Sequence, residues 1–483
     1  LLIHYASYRA TPKVAYADIT MRPMPNLNRR RILLDLSTSL QWRGKHAVGI
    51  VRTEREIAKR LLVDPDLDVL PVIFNAGRFL ALDPVLAEEL ITVDDRTEPQ
   101  AIPEVVPKPL QKNRTVSPLR LLGAAARFIA RTLVELVPAG GREDFRLALV
   151  HLREVVRKIL YGSPKSDDPQ AAPVAERPID LRFVVDPSDN DVLFLGGLGW
   201  DVIDCRSVAA IKRQSGMKVV SIMYDLIPTK MPHFLGGNPK DYFLNYFLHM
   251  VDLSDHIFCI SQTTQSDLVE FCNLNNRTCP PASVIYLGSN IPALPDPRGI
   301  QPDEIRDRLS RGRFALAVGT FEVRKNYAFL LSLWEDLLED PEFDLDLVIA
   351  GMPGWGVDDI LAKLEASPHF GKRIFWFKRL SDGGISWLYE KCQVFVFPSL
   401  YEGWGLPVIE ALQHGKPVIA SNRGSVPEAG LGVAKILDVC EPEAWKDEIR
   451  RHAVSRVTLP PNIPLPTWED AALTVKSTLV GLK

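Results

Sequence analysis

Apolar positions in this chain cluster into short blocks separated by polar, glycine-bearing turns. In the first half the blocks are RILLDL (31–36), LDVLPVIF (67–74), DVLFLGG (191–197), MKVVSIMYD (217–225), DHIFCIS (255–261) and ASVIYLG (282–288). Unbroken apolar runs of this length predict strands buried on both faces. VGIVRTEREIAKRLL (48–62) follows the first block with the period of a helix. Strands alternating with helices predict a parallel sheet covered on both sides.

A second series repeats the pattern in FALAVG (314–319), LDLVIAG (345–351), RIFWF (373–377), QVFVFPS (393–399) and KPVIA (416–420). Between its first two strands, YAFLLSLWEDLLE (327–339) places Phe329, Leu330, Leu333, Trp334, Leu337 and Leu338 on one helical face. The proline-rich GSNIPALPDPRGIQPDE (288–304) separates the two series and reads as a linker. The expected fold class is therefore α/β, with two doubly wound, Rossmann-like domains at 1–288 and 302–465, a linker at 289–301, and a terminal helix in 466–483. Ligands of such sheets lie at the carboxyl ends of the strands, so the loops there are where chemistry is expected.

At 483 residues, 46% hydrophobic and 24% charged, the chain has the balance of a globular protein of more than one domain. The formal charge of −3 gives no reason to expect nucleic acid as partner. Charge is unevenly spread, however. A stretch near 85–190 interrupts the first domain, and residues 107–165 hold 12 Lys or Arg against 4 Asp or Glu, a local +8 that leaves −11 elsewhere. Within PLRLLGAAARFIARTLVELV (118–137), Arg120, Arg127 and Arg131 share a helical stripe beside apolar residues. Such a helix either caps the domain or rests on an anionic membrane surface. The six cysteines show no metal-ligand spacing and read as reduced core residues of a cytoplasmic protein. The first residues make a poor secretion signal, and no run of roughly 18 apolar residues predicts a membrane span.

The candidate chemistry lies in YEGWGLPVIEAL (401–412). A strand ends at VFVFPS, the chain turns through Glu402, Gly403, Trp404, Gly405 and Leu406, and Pro407 suits the first turn of a helix that carries Glu410. Glycine lets backbone approach a ligand closely, and free amides at a helix start favour an anion. Two carboxylates beside such a cradle accept hydrogen bonds from hydroxyls, so the expected ligand carries both phosphate and sugar. In VGTFEVRKN (318–326) another strand ends at Gly319, and the adjacent cations Arg324 and Lys325 can face one anion. Taken singly, Glu402 could equally cap a turn and Glu410 pair with a surface lysine.

Together, GTFEVRKN and FPSLYEGWGLPVIEALQHGKPVIASNRGSVPE resemble the nucleotide-sugar half of retaining glycosyltransferases of the GT-B fold, the family-four type also called glycosyl transferases group 1. The resemblance covers 302–430 closely and 191–290 more loosely. It implies two domains facing a central cleft, with the terminal helix crossing back to the N-terminal domain. It further implies that Glu410 binds the ribose hydroxyls, Glu402 the donor sugar, and Arg324 with Lys325 the diphosphate. The amides of Gly403, Trp404, Gly405 and Leu406 complete the donor cradle, which Gly319 adjoins, and the Lys378–Leu380 loop borders the base.

On the acceptor side, WRGKHAVGIVR (42–52) resembles the family's first glycine-bearing loop, with Gly49 nearest the reaction centre. In MYDLIP (223–228) Tyr224 stands where the family often has histidine, which moves the expected catalytic role to Asp225. Trp200 and Asp201, after the strand ending in GGLGWD, are placed at the acceptor cleft. The D-x-D strings Asp64/Asp66, Asp189/Asp191 and Asp344/Asp346 precede or begin strands, away from the ligand edge, and no metal or other cofactor is expected. The expected activity is transfer of a hexose from a nucleotide diphosphate sugar, GDP-mannose being preferred, to a saccharide or lipid-linked acceptor in bacterial surface polysaccharide assembly. Peripheral contact of 107–165 with the membrane is part of that expectation. A sugar-nucleotide epimerase of the same fold and a non-catalytic nucleotide-sugar binding protein are the alternatives.

Overall fold

The computed structural model describes residues 29–43, 49–92, 181–234, 240–289, 295–354 and 356–482. The chain divides into one unit of Leu1–Pro99 with Ile179–Lys483 and another of Gln100–Pro178. The second unit, and with it the basic helix at 118–137, lies outside the described residues.

The N-terminal lobe is built on an eight-stranded sheet: β1 (Arg31–Asp35), β2 (Asp68–Asn75), β3 (Arg78–Leu82), β4 (Leu181–Val185), β5 (Asp191–Leu195), β6 (Lys218–Met223), β7 (His256–Cys259) and β8 (Ala282–Val284), in the order β4-β3-β2-β1-β5-β6-β7-β8. Six strands run parallel, as their two-sided burial requires; Leu33, Leu193, Val219 and Ile257 are fully buried. The wholly parallel expectation is corrected at one edge, where β3 runs antiparallel to both β2 and β4. A two-residue turn reverses the chain there: Ala76 (φ 48°) and Gly77 (φ 78°) both take the left-handed conformation that matches strand twist in a tight hairpin. The stretch expected to interrupt this domain near 85–190 begins inside the helix Pro84–Thr92, which buries Ala87, Leu90 and Ile91, and ends past β4.

The C-terminal lobe holds β9 (Phe314–Val318), β10 (Asp346–Ala350), β11 (Ile374–Phe377), β12 (Val394–Phe397), β13 (Val418–Ser421) and β14 (Lys435–Leu437), all parallel, in the order β11-β10-β9-β12-β13-β14. The helix Tyr327–Leu337 packs the face bearing Leu330, Leu333, Trp334 and Leu337 onto this sheet. Strand order reverses at β1 in one sheet and at β9 in the other, and crevices open at such reversals.

Several contacts hold the lobes together. The terminal helix Trp468–Gly481 lies on the helix Gly49–Val63, with Lys476 paired to Asp64 and Asp66 and Arg60 to Glu469. Close approach is possible because Gly288 has no side chain: a Cβ there would stand 2.3 Å from the Trp468 nitrogen. Glu428 of the C-terminal lobe accepts from the Gln262 and Thr263 amides at 2.8 Å each, filling the open N-terminus of the helix Gln262–Leu274. Trp404 donates from Nε1 to the Leu287 carbonyl at 3.2 Å.

Candidate functional site

Beyond β9 the chain makes a single tight turn at Val323–Lys325 before the helix Tyr327–Leu337, and Asn326 (φ 58°) supplies the left-handed step between them. The Lys325 side chain folds back over Gly319, where an added Cβ would lie 3.2 Å from Lys325 Cε. Beyond β12, Leu400 N donates to the Arg324 carbonyl at 2.8 Å, joining the two strand-end loops. Ser425 Oγ holds the following turn by donating to the carbonyls of Glu402 (2.9 Å) and Trp404 (2.6 Å).

These loops bring the predicted cations and acid into one buried cluster. Lys325 Nζ lies 2.6 Å from Glu402 Oε1, and Arg324 Nη1 lies 2.6 Å from Glu402 Oε2. Arg324 Nη2 also meets Glu322 Oε1 at 2.6 Å, and its Nη1 donates to the Tyr401 carbonyl at 2.7 Å. Glu322, Lys325 and Glu402 are all buried. Burial alone would raise the Glu402 carboxyl, but Arg324 and Lys325 outweigh it and hold it down at about 2. Glu402 is thus a fixed negative charge between two positive ones. Removing one partner of such a cluster leaves a buried charge uncompensated, at a cost of roughly 3–5 kcal/mol.

Glu410 sits one turn inside the helix Leu406–Gln413, which Gly405 (φ 123°) starts with Pro407 in its first turn. It too is buried, and among the described residues no lysine pairs with it: Tyr389 donates its hydroxyl to Oε2 at 3.0 Å, and Arg52 reaches across from the N-terminal lobe to 3.5 Å from Oε1. Burial raises the Glu410 carboxyl, with Arg52 and the Tyr389 hydroxyl pulling the other way. Arg52 stands in the first turn of the helix that opens at Gly49, whose Cβ, if present, would touch Leu406 at 3.5 Å.

Asp225 follows β6 and meets the donor loop directly. A Cβ on Gly403 would clash with the Tyr224 carbonyl at 2.3 Å and approach Asp225 Cβ at 3.0 Å, so only glycine admits this contact. Burial raises the Asp225 carboxyl, partly offset by Arg324. The Tyr224 hydroxyl donates to the Gly196 carbonyl, so this side chain braces the loop after β5. A cavity of about 210 Å³ lies here, bounded by Trp200, Asp225, Glu322 and Arg324 among others.

Three predicted positions lie away from this cavity. Lys378 is exposed and stands over the Trp376 ring at 4.7 Å, and Leu380 packs near Gly299 and Gly384. Asp201 is exposed on the short helix Gly199–Val202 and does not line the cavity. Five of the six D-x-D acids are taken by basic side chains: Asp64 and Asp66 by Lys476, Asp191 by Arg31, Asp344 by Arg313, and Asp346 by Arg308 and Arg373. Glu322 and Arg52 went unrecognised in the sequence although both lie inside the quoted motifs; a third charge beside Arg324, and a basic residue three positions after Gly49, were the available signals. Tyr389 carried no signal of its own.

Two facing doubly wound lobes, with paired acids and cations at the strand-order reversal of the second, define a GT-B α/β fold. Anabaena HepE, solved in complex with UDP and glucose, superposes with a TM-score of 0.54 over 94% of this chain and 100% of that one, at 14% identity. Residues 303–452 match the family glycosyl transferases group 1. The serotype-specific mannosyltransferase WbdA of Escherichia coli is 30% identical over 216 residues, which are 43% of this chain and 26% of that protein. O-antigen chain mannosyltransferase B, also of Escherichia coli, is 28% identical over 249 residues, 48% of this chain and 63% of the other. The chain thus spans about a quarter of the length of the WbdA relatives it matches.

Proposed function

We propose that this protein is a retaining hexosyltransferase that moves a sugar, mannose from GDP-mannose in the preferred reading, from a nucleotide diphosphate donor to a saccharide or lipid-linked acceptor of a bacterial surface polysaccharide. One observation carries this reading: Arg324 and Lys325 converge on Glu402 in a buried cluster at the carboxyl ends of β9 and β12. Two cations held in the free site by Glu402 and Glu322 can turn to a diphosphate, and that exchange frees Glu402 to receive a sugar hydroxyl. In this reading Glu410, one turn into the next helix, takes the ribose hydroxyls, and the amides at Gly403–Leu406 take phosphate oxygens. Support for mannose and for polysaccharide comes from the names of the Escherichia coli relatives.

As the bond to the anomeric carbon breaks, charge grows on the leaving diphosphate, and the fixed positive groups of Arg324 and Lys325 stabilise it without reorganising. They supply this charge themselves, so the reading includes no metal. In the retaining course the leaving phosphate helps to remove the acceptor proton, and Asp225, half-buried against Gly403, orients the acceptor beside it. Peripheral membrane contact through 107–165 belongs to the same proposal as the means of meeting a lipid-linked acceptor.

Incubation with GDP-mannose or UDP-glucose and a saccharide acceptor, followed by proton NMR of the new linkage, tests the reading. Release of nucleoside diphosphate with an α-linked product is expected. A β-linked product would contradict retention, and conversion of the donor with no acceptor added would indicate an epimerase.

A further inference from the structure

The helix Gln262–Leu274 belongs to the N-terminal lobe, yet the polar groups at its start bond to the loop that carries Glu402 and to the helix behind that loop. Besides the Gln262 and Thr263 amides that Glu428 takes, the Thr263 hydroxyl donates to Glu428 Oε1 at 2.6 Å and the Thr264 hydroxyl to the Gly403 carbonyl at 3.2 Å. One turn on, Asp267 Oδ2 accepts from the Tyr401 hydroxyl at 2.5 Å. Thr264, Asp267 and Tyr401 are all buried. Lys230 compensates the Asp267 charge: its Nζ bonds to Asp267 Oδ1, reaches Glu270 at 2.9 Å and stands 5.8 Å from the centre of the Tyr401 ring.

Tyr401 works at both of its ends. Its hydroxyl is fixed from the N-terminal lobe, and its carbonyl accepts from Arg324 Nη1 at 2.7 Å, the same nitrogen that lies 2.6 Å from Glu402 Oε2. Burial, with the Asp267 carboxylate beside it, raises the Tyr401 hydroxyl above its ordinary value, so it remains a donor. A packing role would be met by the ring alone. The buried phenol and its buried acid go beyond packing, and what they hold still is the peptide that leads into Glu402.

We infer that Asp267 and Tyr401 are positioning residues for the diphosphate site: through Asp267 the N-terminal lobe fixes the Tyr401 backbone, and that backbone aims Arg324. The inference rests on the diphosphate reading of Arg324 and Lys325 and deepens it, because the grip of the C-terminal lobe is then set in part by a side chain of the other lobe.

Calorimetric titration of the full chain with GDP and GMP, UDP and UMP, and ADP and AMP finds the preferred base and the ratio of diphosphate to monophosphate affinity. Tyr401→Phe removes the hydroxyl and keeps the ring. It should lower that ratio about tenfold, the order expected for one hydrogen bond to a charged group, while monophosphate affinity, which also reports folding, changes less than about twofold. Asp267→Ala removes the acceptor, leaves Lys230 its contact with Glu270 and should lower the ratio as far. Lys476→Ala, which breaks a different contact between the lobes, should leave the ratio unchanged. The inference is overturned if either Tyr401→Phe or Asp267→Ala keeps the wild-type ratio, if they weaken both nucleotides equally, or if Lys476→Ala lowers the ratio as much as they do. A wild type with no preference for diphosphate would instead contradict the diphosphate reading itself.

Discussion

In the C-terminal lobe buried carboxylates meet cations; behind the cavity of the N-terminal lobe they meet serines. Glu402 lies between Arg324 and Lys325 and stays ionised down to about 2. Glu54 and Asp35 are equally buried, but Glu54 accepts from the Ser39 amide at 2.7 Å and from the Ser39 hydroxyl, and Asp35 from the Ser37 hydroxyl at 2.5 Å. Burial, then the nearby Asp35 charge, pushes Glu54 up to about 8, and burial pushes Asp35 up to about 6. One acid is a permanent charge and the other a neutral brace under the loop at Gly197, where a Cβ would fall 2.2 Å from Glu54 Oε1. The same side chain thus does electrostatic work in one lobe and structural work in the other, and only its neighbours decide which.

The contrast can be broken at either end. The largest effect is expected for Lys325→Ala: turnover should fall on the order of 10²–10³-fold, the usual loss when one group stabilising transition-state charge is removed. Arg324 remains paired with Glu402, so the circular dichroism spectrum should be unchanged; a variant that keeps its rate would contradict the diphosphate assignment. In the N-terminal lobe the prediction concerns pH. Both raised acids bind protons more tightly in the folded state than in the unfolded one. Their contribution is therefore full below the unfolded values near 4 and is lost as pH rises through about 6 and then about 8. Wild-type stability should decline between pH 5 and 8 by at most on the order of 1 kcal/mol per pH unit for each titrating proton. Glu54→Gln keeps an acceptor for Ser39 and should flatten the upper part of that decline in a Tm-against-pH series; an unchanged slope would show that Glu54 is ionised at neutral pH. The smallest effect belongs to the surface contact between the lobes. Lys476→Ala removes the links to Asp64 and Asp66, and an exposed pair of this kind should move Tm by about a degree.

Much of the fold was legible because strands buried on both faces read as unbroken apolar runs, and every run quoted from the two series became a strand. The antiparallel edge was not, because β3 takes its outer partner from β4, about 100 residues further on; β14, at an edge of the other sheet, was missed because it is only three residues long. In the site, Glu402, Arg324 and Lys325 were legible because each sits within a few residues of a strand end, where a doubly wound sheet opens. Arg52 was not, because its partner Glu410 lies in the other lobe and pairing across lobes leaves no local pattern. The aromatic lining of the cavity after β5 and β6 escaped for a related reason: Phe243 and Tyr246, on the helix Lys240–Leu253, share the spacing of any amphipathic helix, and only the approach of Trp200 makes them part of that lining.

The central claim is that Arg324 and Lys325 hold a diphosphate. Its most direct measurement compares nucleoside diphosphate with monophosphate, GDP against GMP and likewise for uridine and adenosine, in titrations of the wild type and of the Arg324→Ala/Lys325→Ala double variant. The wild type should bind the diphosphate of its preferred base far more tightly than the monophosphate, and the double variant should bind both with the weaker affinity. A double variant that still prefers the diphosphate would contradict the account.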